Sequence, residues 1–181
     1  MDRVQRLASM IIVAACASAT AELPISKTAG CLEGPMAQFG QYLGSWDIAD
    51  TQLANDGSGW APGPGARWDF VCIGDGAAVQ DFWIPNGGNV GTNLRTYHPE
   101  TQSWDIAWAI KPAPGFTHIT AALDPDTGNI VMHYKSPLPT PPRRITFFPA
   151  DADGWKWHLE MSFDDEKTWT QVYRINATRR K

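Results

Sequence analysis

The chain has 181 residues, of which 43% are apolar and 19% charged, so it can form one domain with its own core and is too short for two. Its 16 glycines and 14 prolines indicate many turns, while the plentiful apolar residues and the lack of a glycine period exclude collagen and low-complexity disorder. The formal net charge is −4 and the only basic cluster is Arg179–Lys181, which argues against a nucleic-acid partner.

The N-terminus has the pattern of an export signal. Arg3 and Arg6 precede an apolar run, and small residues follow at 19–21, which predicts a secretory signal peptide over residues 1–21. The run is about 11 residues long, and a membrane-spanning helix needs roughly 20, so we expect no transmembrane helix in the mature form. The run also resembles a bacterial lipobox that ends at Cys16, which leaves a second cleavage route with a lipid anchor open. We therefore expect a periplasmic, envelope-bound or secreted protein.

Both cleavage routes leave two cysteines, Cys31 and Cys72. In an oxidising compartment they can close a disulfide around a loop of about 40 residues. The alternative is two unpaired thiols, one of them buried as a small apolar side chain. Their spacing matches no zinc or redox motif.

The rest of the chain divides into a lead-in and one domain. Residues 22–33 are predicted to be extended, and 34–181 to form the domain, which begins with a short helix over 34–43. After the helix, runs rich in Trp, Phe, Val, Ile and Thr alternate with Gly/Asp/Asn turn signals, which predicts antiparallel strands. The predicted strands are 44–50, 66–73, 77–84, 89–97, 103–110, 116–123, 129–135, 143–149, 155–163 and 168–176.

These strands alternate in polarity, so each one buries a single face. Trp104, Ile106, Trp108 and Ile110 share one face of their strand, for example. A meander of this length with no helices to cover it hides its edges by closing on itself. We therefore predict an all-β protein, a single antiparallel up-and-down barrel of about 8–10 strands. A two-sheet sandwich is the alternative, and the lack of an internal repeat argues against a propeller.

Several motifs resemble those of known barrels. The helix followed by Gly44-Ser45-Trp46 resembles the entry to lipocalins and the wider calycin superfamily, and segments 78–85, 91–97 and 101–108 look like consecutive strands of an uncharacterised bacterial family with calycin-like barrels. The resemblance implies a ligand cavity and brings no catalytic residues. In that superfamily an arginine of the last strand packs on the first-strand tryptophan, which implies a structural pair of Arg174 and Trp46.

The same resemblance implies that the loop after the first strand is a lid over the barrel mouth. Trp60 lies in this loop and would then touch the ligand. The alternative is a Gly/Pro-rich linker with one exposed tryptophan. Both interpretations stay open on the sequence alone.

The leading functional hypothesis is an exported barrel that binds a small, largely apolar molecule, with an anionic head group as an option. Nine tryptophans can fill a barrel or line a pocket, and an arginine among aromatic rings suits a carboxylate or phosphate. No cofactor is predicted, and no nucleophile or metal motif is present in the sequence. The candidate ligand-binding residues are Trp60, Trp83, Arg95, Tyr97, Trp108, His118 and His133.

Two other classes of function stay open. The first is an enzyme that uses His118, His133 or His158 inside the cavity, with or without a metal ion. The second is an envelope interaction protein whose barrel is solid and whose outer loops bind a partner.

Overall fold

The computed structural model describes residues 27–181. The predicted signal peptide and the lipidation site at Cys16 lie outside the described residues, so both stay predictions. The helical elements are two 3-10 turns, Ala29–Cys31 and Gly34–Met36, and helix α1, Ala37–Gly40. The strands are β1 (Gly44–Leu53), β2 (Trp60–Pro62), β3 (Ala66–Ile73), β4 (Ala78–Pro85), β5 (Gly91–His98), β6 (Ser103–Ile110), β7 (Thr117–Leu123), β8 (Ile130–Ser136), β9 (Arg143–Phe147), β10 (Gly154–Met161) and β11 (Thr170–Arg179).

Ten of these strands form one closed antiparallel barrel. From β3 to β11 each strand pairs with the next in chain order, β1 pairs with β3, and β11 returns to pair with β1. The short strand β2 lies outside this circuit and pairs only with the end of β1. The closed sheet confirms the predicted barrel and excludes the two-sheet sandwich.

All ten predicted strands are present, since their alternating polarity reflects a real inside and outside. The prediction missed β2, because Gly and Pro surround its three residues. The lead-in predicted as extended contains the 3-10 turn Ala29–Cys31, and the predicted helix over 34–43 consists of a 3-10 turn and α1.

The end of the barrel next to α1 is solid. Phe39 of α1 packs edge-on against Trp104 and Phe147, with ring centroids 4.9 Å and 5.6 Å apart. Tyr42, which follows α1, lies 5.0 Å from the ring of Trp155 and donates a hydrogen bond to the carbonyl of Phe148. These aromatic contacts plug one end of the barrel and leave any cavity to the other end.

A disulfide between Cys31 and Cys72 ties the turn before α1 to β3. Both cysteines are fully buried, and 41 positions separate them in the sequence. The bond holds the N-terminal turn, and with it α1, against the plugged end of the barrel. A disulfide is the form expected of a protein that folds in an oxidising compartment.

Arg179, and not Arg174, covers the first-strand tryptophan. The guanidinium carbon of Arg179 lies 4.0 Å from the ring centroid of Trp46, and Nη1 donates to the carbonyl of Leu43. The expectation that Arg174 would meet Trp46 was wrong, because the register of β1 with β11 places Arg174 opposite Thr51, five residues further along β1.

Arg174 instead covers Trp60, with its guanidinium carbon 3.7 Å from the ring centroid. Trp60 pairs with Leu53, and Arg174 pairs with Thr51, so both side chains lie on the outward face of the wall. The segment 54–65 therefore holds Trp60 against the outside of the barrel and not across its mouth.

Candidate functional site

The end of the barrel opposite α1 contains an open cavity of about 270 Å³. This volume is close to the lower end of the range of about 300–1,000 Å³ that is usual for small-molecule sites. The cavity is apolar on most sides and opens where β4, β6, β8 and β10 end. Its lining residues are Trp68, Trp83, Asn93, Arg95, Trp108, Ile110, Ile119, Met132, Tyr134, Ile145, Phe147, Trp157, Leu159, Tyr173 and Ile175.

The wall of the cavity near its mouth is aromatic. Trp83 packs edge-on against Trp68, with ring centroids 5.1 Å apart, and Trp108 lies against Gly91 of the neighbouring strand β5. A Cβ atom at Gly91 would come within 2.1 Å of Cη2 of Trp108. Only glycine leaves room for the indole at this position, so the backbone of β5 itself fixes how Trp108 lines the cavity.

The floor of the cavity is polar. Nη2 of Arg95 lies 2.5 Å from Oδ2 of Asp81, and both side chains have no exposure to outside solvent. Asp81 also accepts hydrogen bonds of 3.1 Å from the backbone N–H and from Nδ2 of Asn93. Because the carboxylate neutralises the guanidinium, the floor has little net charge but keeps a strong local dipole.

The guanidinium of Arg95 has donors to spare. Its contact with Asp81 is close enough for an ion pair, but the N–H direction is not that of a hydrogen bond, and none of its three nitrogens has a hydrogen-bond partner among the described residues. The rings of Phe39, Phe70 and Phe147 surround the guanidinium carbon at 4.7–5.9 Å and supply cation–π contacts.

Two indole groups of the cavity wall add further unsatisfied donors. Nε1 of Trp68 and Nε1 of Trp157 are buried and have no partner within residues 27–181. A buried donor without an acceptor costs about 1–3 kcal/mol. The lower part of the cavity therefore favours a molecule that brings hydrogen-bond acceptors.

A tyrosine at the rim is held by a buried carboxylate. The hydroxyl of Tyr173 donates to Oδ2 of Asp50 at 2.5 Å, and the backbone N–H of Gly65 donates to the other carboxylate oxygen at 2.7 Å. Burial and the hydrogen bond to Asp50 raise the pKa of Tyr173 above its ordinary value, so the phenol keeps its proton. This network anchors segment 54–65 to the rim.

The structure brings together three of the residues that the sequence singled out for the site. Trp83, Arg95 and Trp108 all line the cavity. Tyr97 lies at the plugged end, where its ring meets Trp104 at 5.4 Å, and Trp60 lies outside the wall. Neither belongs to the cavity lining.

The strand histidines point away from the cavity. His133 lies between the lining residues Met132 and Tyr134, and His158 lies between Trp157 and Leu159, so strand alternation turns both outward. His118 is exposed and contacts Asp105, with 3.0 Å between Nε2 and Oδ1. The expectation that these histidines share the cavity is wrong for this reason.

Within residues 27–181 no three histidine, cysteine or carboxylate side chains group as metal ligands. The outward His158 contacts Glu160, with 3.4 Å between Nε2 and Oε2, and Glu160 is paired with Arg144 at 2.6 Å. Burial lowers the pKa of His158, the neighbouring carboxylate of Glu160 opposes that shift, and Arg144 and Arg174 add to it. Glu160 is therefore shared between His158 and Arg144.

Several aromatic and polar residues of the lining were not among the residues predicted for the site. Asn93 lies on the same face of β5 as Arg95, so alternation could have found it. Tyr134 and Trp157 are chain neighbours of His133 and His158, which the sequence interpretation placed in the cavity, so the opposite face of each strand lines it. Trp68 and Tyr173 lie on strands for which no cavity residue was predicted. The alternation of polarity along each strand was the signal that could have identified these residues.

The fold and the site define an all-β barrel of ten strands, plugged at one end and open to an aromatic cavity at the other. The structure is similar to the crystal structure of Rv2717c from M. tuberculosis, with a TM-score of 0.55 and 10% sequence identity over 82% of this chain and 99% of that chain. At that identity the similarity concerns the fold alone. No protein-family model matches the chain, and no curated protein is similar to it in sequence.

The family resemblance stated above is therefore supported at the level of the barrel and not at the level of calycins or lipocalins. Within the described residues no helix is long and apolar enough to cross a membrane.

Proposed function

We propose that this protein binds a small, largely apolar molecule that carries one hydrogen-bond acceptor group, such as a carboxylate. The observation that carries this proposal is the open cavity of about 270 Å³ with its aromatic and aliphatic wall. A solid barrel, the alternative in which only the outer loops act, lacks such a space. The ring-sized volume suits a bicyclic aromatic acid or a short-chain fatty acid.

The unsatisfied donors support the acceptor group. The guanidinium of Arg95 and the indole N–H groups of Trp68 and Trp157 lie in side chains that line the cavity, and none of them donates a hydrogen bond within residues 27–181, although Arg95 is ion-paired with Asp81. A ligand carboxylate relieves their desolvation and gains charge-assisted hydrogen bonds worth about 1.5–3 kcal/mol. Because Asp81 already balances the charge of Arg95, an uncharged carbonyl is accepted as well, with lower affinity.

We also propose that the protein acts outside the cytoplasm. The signal-peptide pattern of residues 1–21 and the disulfide between Cys31 and Cys72 support this location. Mass measurement of the denatured protein purified from its own host distinguishes cleavage after residue 21 from lipidation at Cys16.

The ligand proposal is tested first by native mass spectrometry of the purified protein, which shows any molecule that copurifies and gives its mass. The second test is a titration with two probes of the same bicyclic body, naphthalene-2-carboxylate and 2-naphthylmethylammonium, followed by tryptophan fluorescence. Four of the nine tryptophans line the cavity, so binding changes the emission directly. We expect the carboxylate to bind at least tenfold more tightly than the ammonium ion, in line with one charged hydrogen bond.

A pair of matched variants localises the binding. Ile119→Trp places an indole into the cavity, while Leu94→Trp adds the same group on the outer, exposed face of β5. We expect the first variant to weaken naphthalene-2-carboxylate at least tenfold and the second to bind as the unchanged protein does. Equal affinity of the two probes removes the acceptor group from the proposal. An empty native protein that binds neither probe refutes it.

A further inference from the structure

Several loops at the mouth of the cavity have apolar side chains that are exposed to solvent. Three hairpin loops, 86–90, 111–116 and 137–142, join neighbouring strand pairs along one side of the mouth, and we name them the mouth arc. At their tips Val90 is 54%, Phe116 73% and Leu138 72% exposed. Soluble proteins seldom gather large apolar side chains in one exposed region unless that region contacts something apolar.

The charges within the mouth arc and directly flanking it are all positive. Residues 86–90, 111–116 and 135–143 contain no Asp or Glu, and they contain Lys111, Lys135 and Arg143. The four hairpin loops at the opposite end of the barrel, 74–77, 99–102, 124–129 and 148–153, contain six carboxylates and no Lys or Arg. The hairpin loops of the plugged end are therefore acidic, although the basic residues 179–181 at the end of β11 lie beside them, and the mouth arc is apolar with positive charges only.

Two further loops at the mouth, 54–65 and 162–169, limit this surface on its two sides. The first carries the exposed Asp56. Residues 162–169 carry the exposed Phe163 but also Asp164, Asp165 and Glu166. Asp164 is engaged within the loop, where it accepts hydrogen bonds from the backbone N–H and the hydroxyl of Thr168. The acidic loop lies next to the 137–142 loop in strand order, so it bounds the mouth arc on one side.

We propose that the mouth arc docks on the surface of an anionic lipid bilayer, with Phe116 and Leu138 inserted among the head groups and the exposed Lys111 and Lys135 facing the lipid phosphates. Exposed apolar groups and neighbouring Lys or Arg side chains together are what holds a protein at such an interface. The barrel then tilts so that loop 162–169 stays in water. An apolar ligand in the cavity faces the bilayer directly and enters or leaves without crossing bulk water.

The docking proposal depends only on the exposed residues of the mouth arc, whereas the transfer of ligand also rests on the proposed function. A protein partner with an acidic, apolar face is the other occupant that fits these side chains. The lipid surface is favoured because the apolar groups project from three separate loops around an apolar cavity, and a bilayer is the medium in which such a ligand dissolves.

The test is flotation of the protein with vesicles of phosphatidylcholine that contain 30 mol% phosphatidylglycerol, beside pure phosphatidylcholine vesicles. We expect the protein to float with the anionic vesicles, and 0.5 M NaCl to weaken that binding severalfold. The double variant Phe116→Ser/Leu138→Ser should bind at least tenfold more weakly. Leu32→Ser removes another exposed apolar side chain, 54% accessible and near the plugged end, and should bind as the unchanged protein does.

Retention of the protein at the bottom of the gradient with anionic vesicles overturns the docking proposal and favours a protein partner. Equal binding of the double variant also overturns it. Titration of naphthalene-2-carboxylate without vesicles is read separately. If the protein binds this probe but does not float, the proposed ligand binding stands and the docking proposal is refuted. If the protein floats but binds no probe, the docking proposal stands and the proposed ligand binding is refuted.

Discussion

The ion pair at the cavity floor offers a sharp test of the packing described above. Asp81 and Arg95 are both fully buried and lie on neighbouring strands, with Asn93 as the second partner of the carboxylate. The perturbation is a double-mutant cycle with Arg95→Met, Asp81→Asn and the two together. Methionine keeps the length of the arginine stem, and asparagine keeps an acceptor oxygen for the backbone N–H of Asn93.

The magnitude follows from the burial. Removing either partner alone leaves an uncompensated charge inside the barrel, which costs about 3–5 kcal/mol of folding free energy. Removing both leaves no net charge, so the double variant should lose less than the sum of the single variants. We expect a coupling energy of at least about 3 kcal/mol between the two positions.

The assay is urea unfolding of the four proteins, with the slope of the transition compared as well as its midpoint. The exposed pair of Arg67 and Asp69, whose Nη2 and Oδ2 atoms lie 2.6 Å apart, provides the control cycle. Solvent screens that pair, so its coupling should be much smaller. Additive losses at Asp81 and Arg95 would show that the two charges do not compensate each other, and would refute the account of the cavity floor.

Two further predictions concern stability. Replacing Cys31 and Cys72 by serine should lower the free energy of unfolding by about 4 kcal/mol, the chain-entropy value for a loop closed over 41 positions, and a reducing agent should destabilise only the unchanged protein in urea. Burial lowers the pKa of His158 below its unfolded value, so the unfolded chain takes up the proton first and stability falls as the pH drops below about 6.5. His158→Gln should lessen that loss between pH 7.5 and pH 5.5, and an unchanged pH dependence of the urea midpoint would contradict it.

The barrel was predictable because each strand can be identified from residues that are close together in the sequence. Along β10 the inward Trp155, Trp157 and Leu159 alternate with outward residues, and the strand can be identified from these few positions. The same parity turns His158 outward, so the placement of this histidine in the cavity contradicts a pattern already visible in the sequence. Strand identity and facing direction both follow from the period of two.

The pairings between distant strands were not predictable in the same way. Trp46 and Ile175 both face inward, so alternation alone excludes the outward Arg174, but which inward position of β11 lies opposite Trp46 depends on the register of the closing pair. Nothing local fixes that register, because the two strands lie at opposite ends of the chain and no hairpin joins them. Trp60 was misplaced for a related reason, since its face is set by pairing with Leu53 in a segment that has the composition of a loop.

The open cavity itself has an energetic meaning. Creating a dry apolar cavity costs about 24 cal/mol per Å³, so 270 Å³ would correspond to an upper bound of about 6 kcal/mol, which water entering through the mouth reduces. The buried donors of Trp68, Trp157 and Arg95 add to that cost. A barrel selected for stability alone would fill this space, as it does around Phe39 at the other end. The Ile119→Trp variant therefore has a second readout: if the cavity is kept for a ligand, the substitution that blocks binding should leave the empty protein as stable as before or more so.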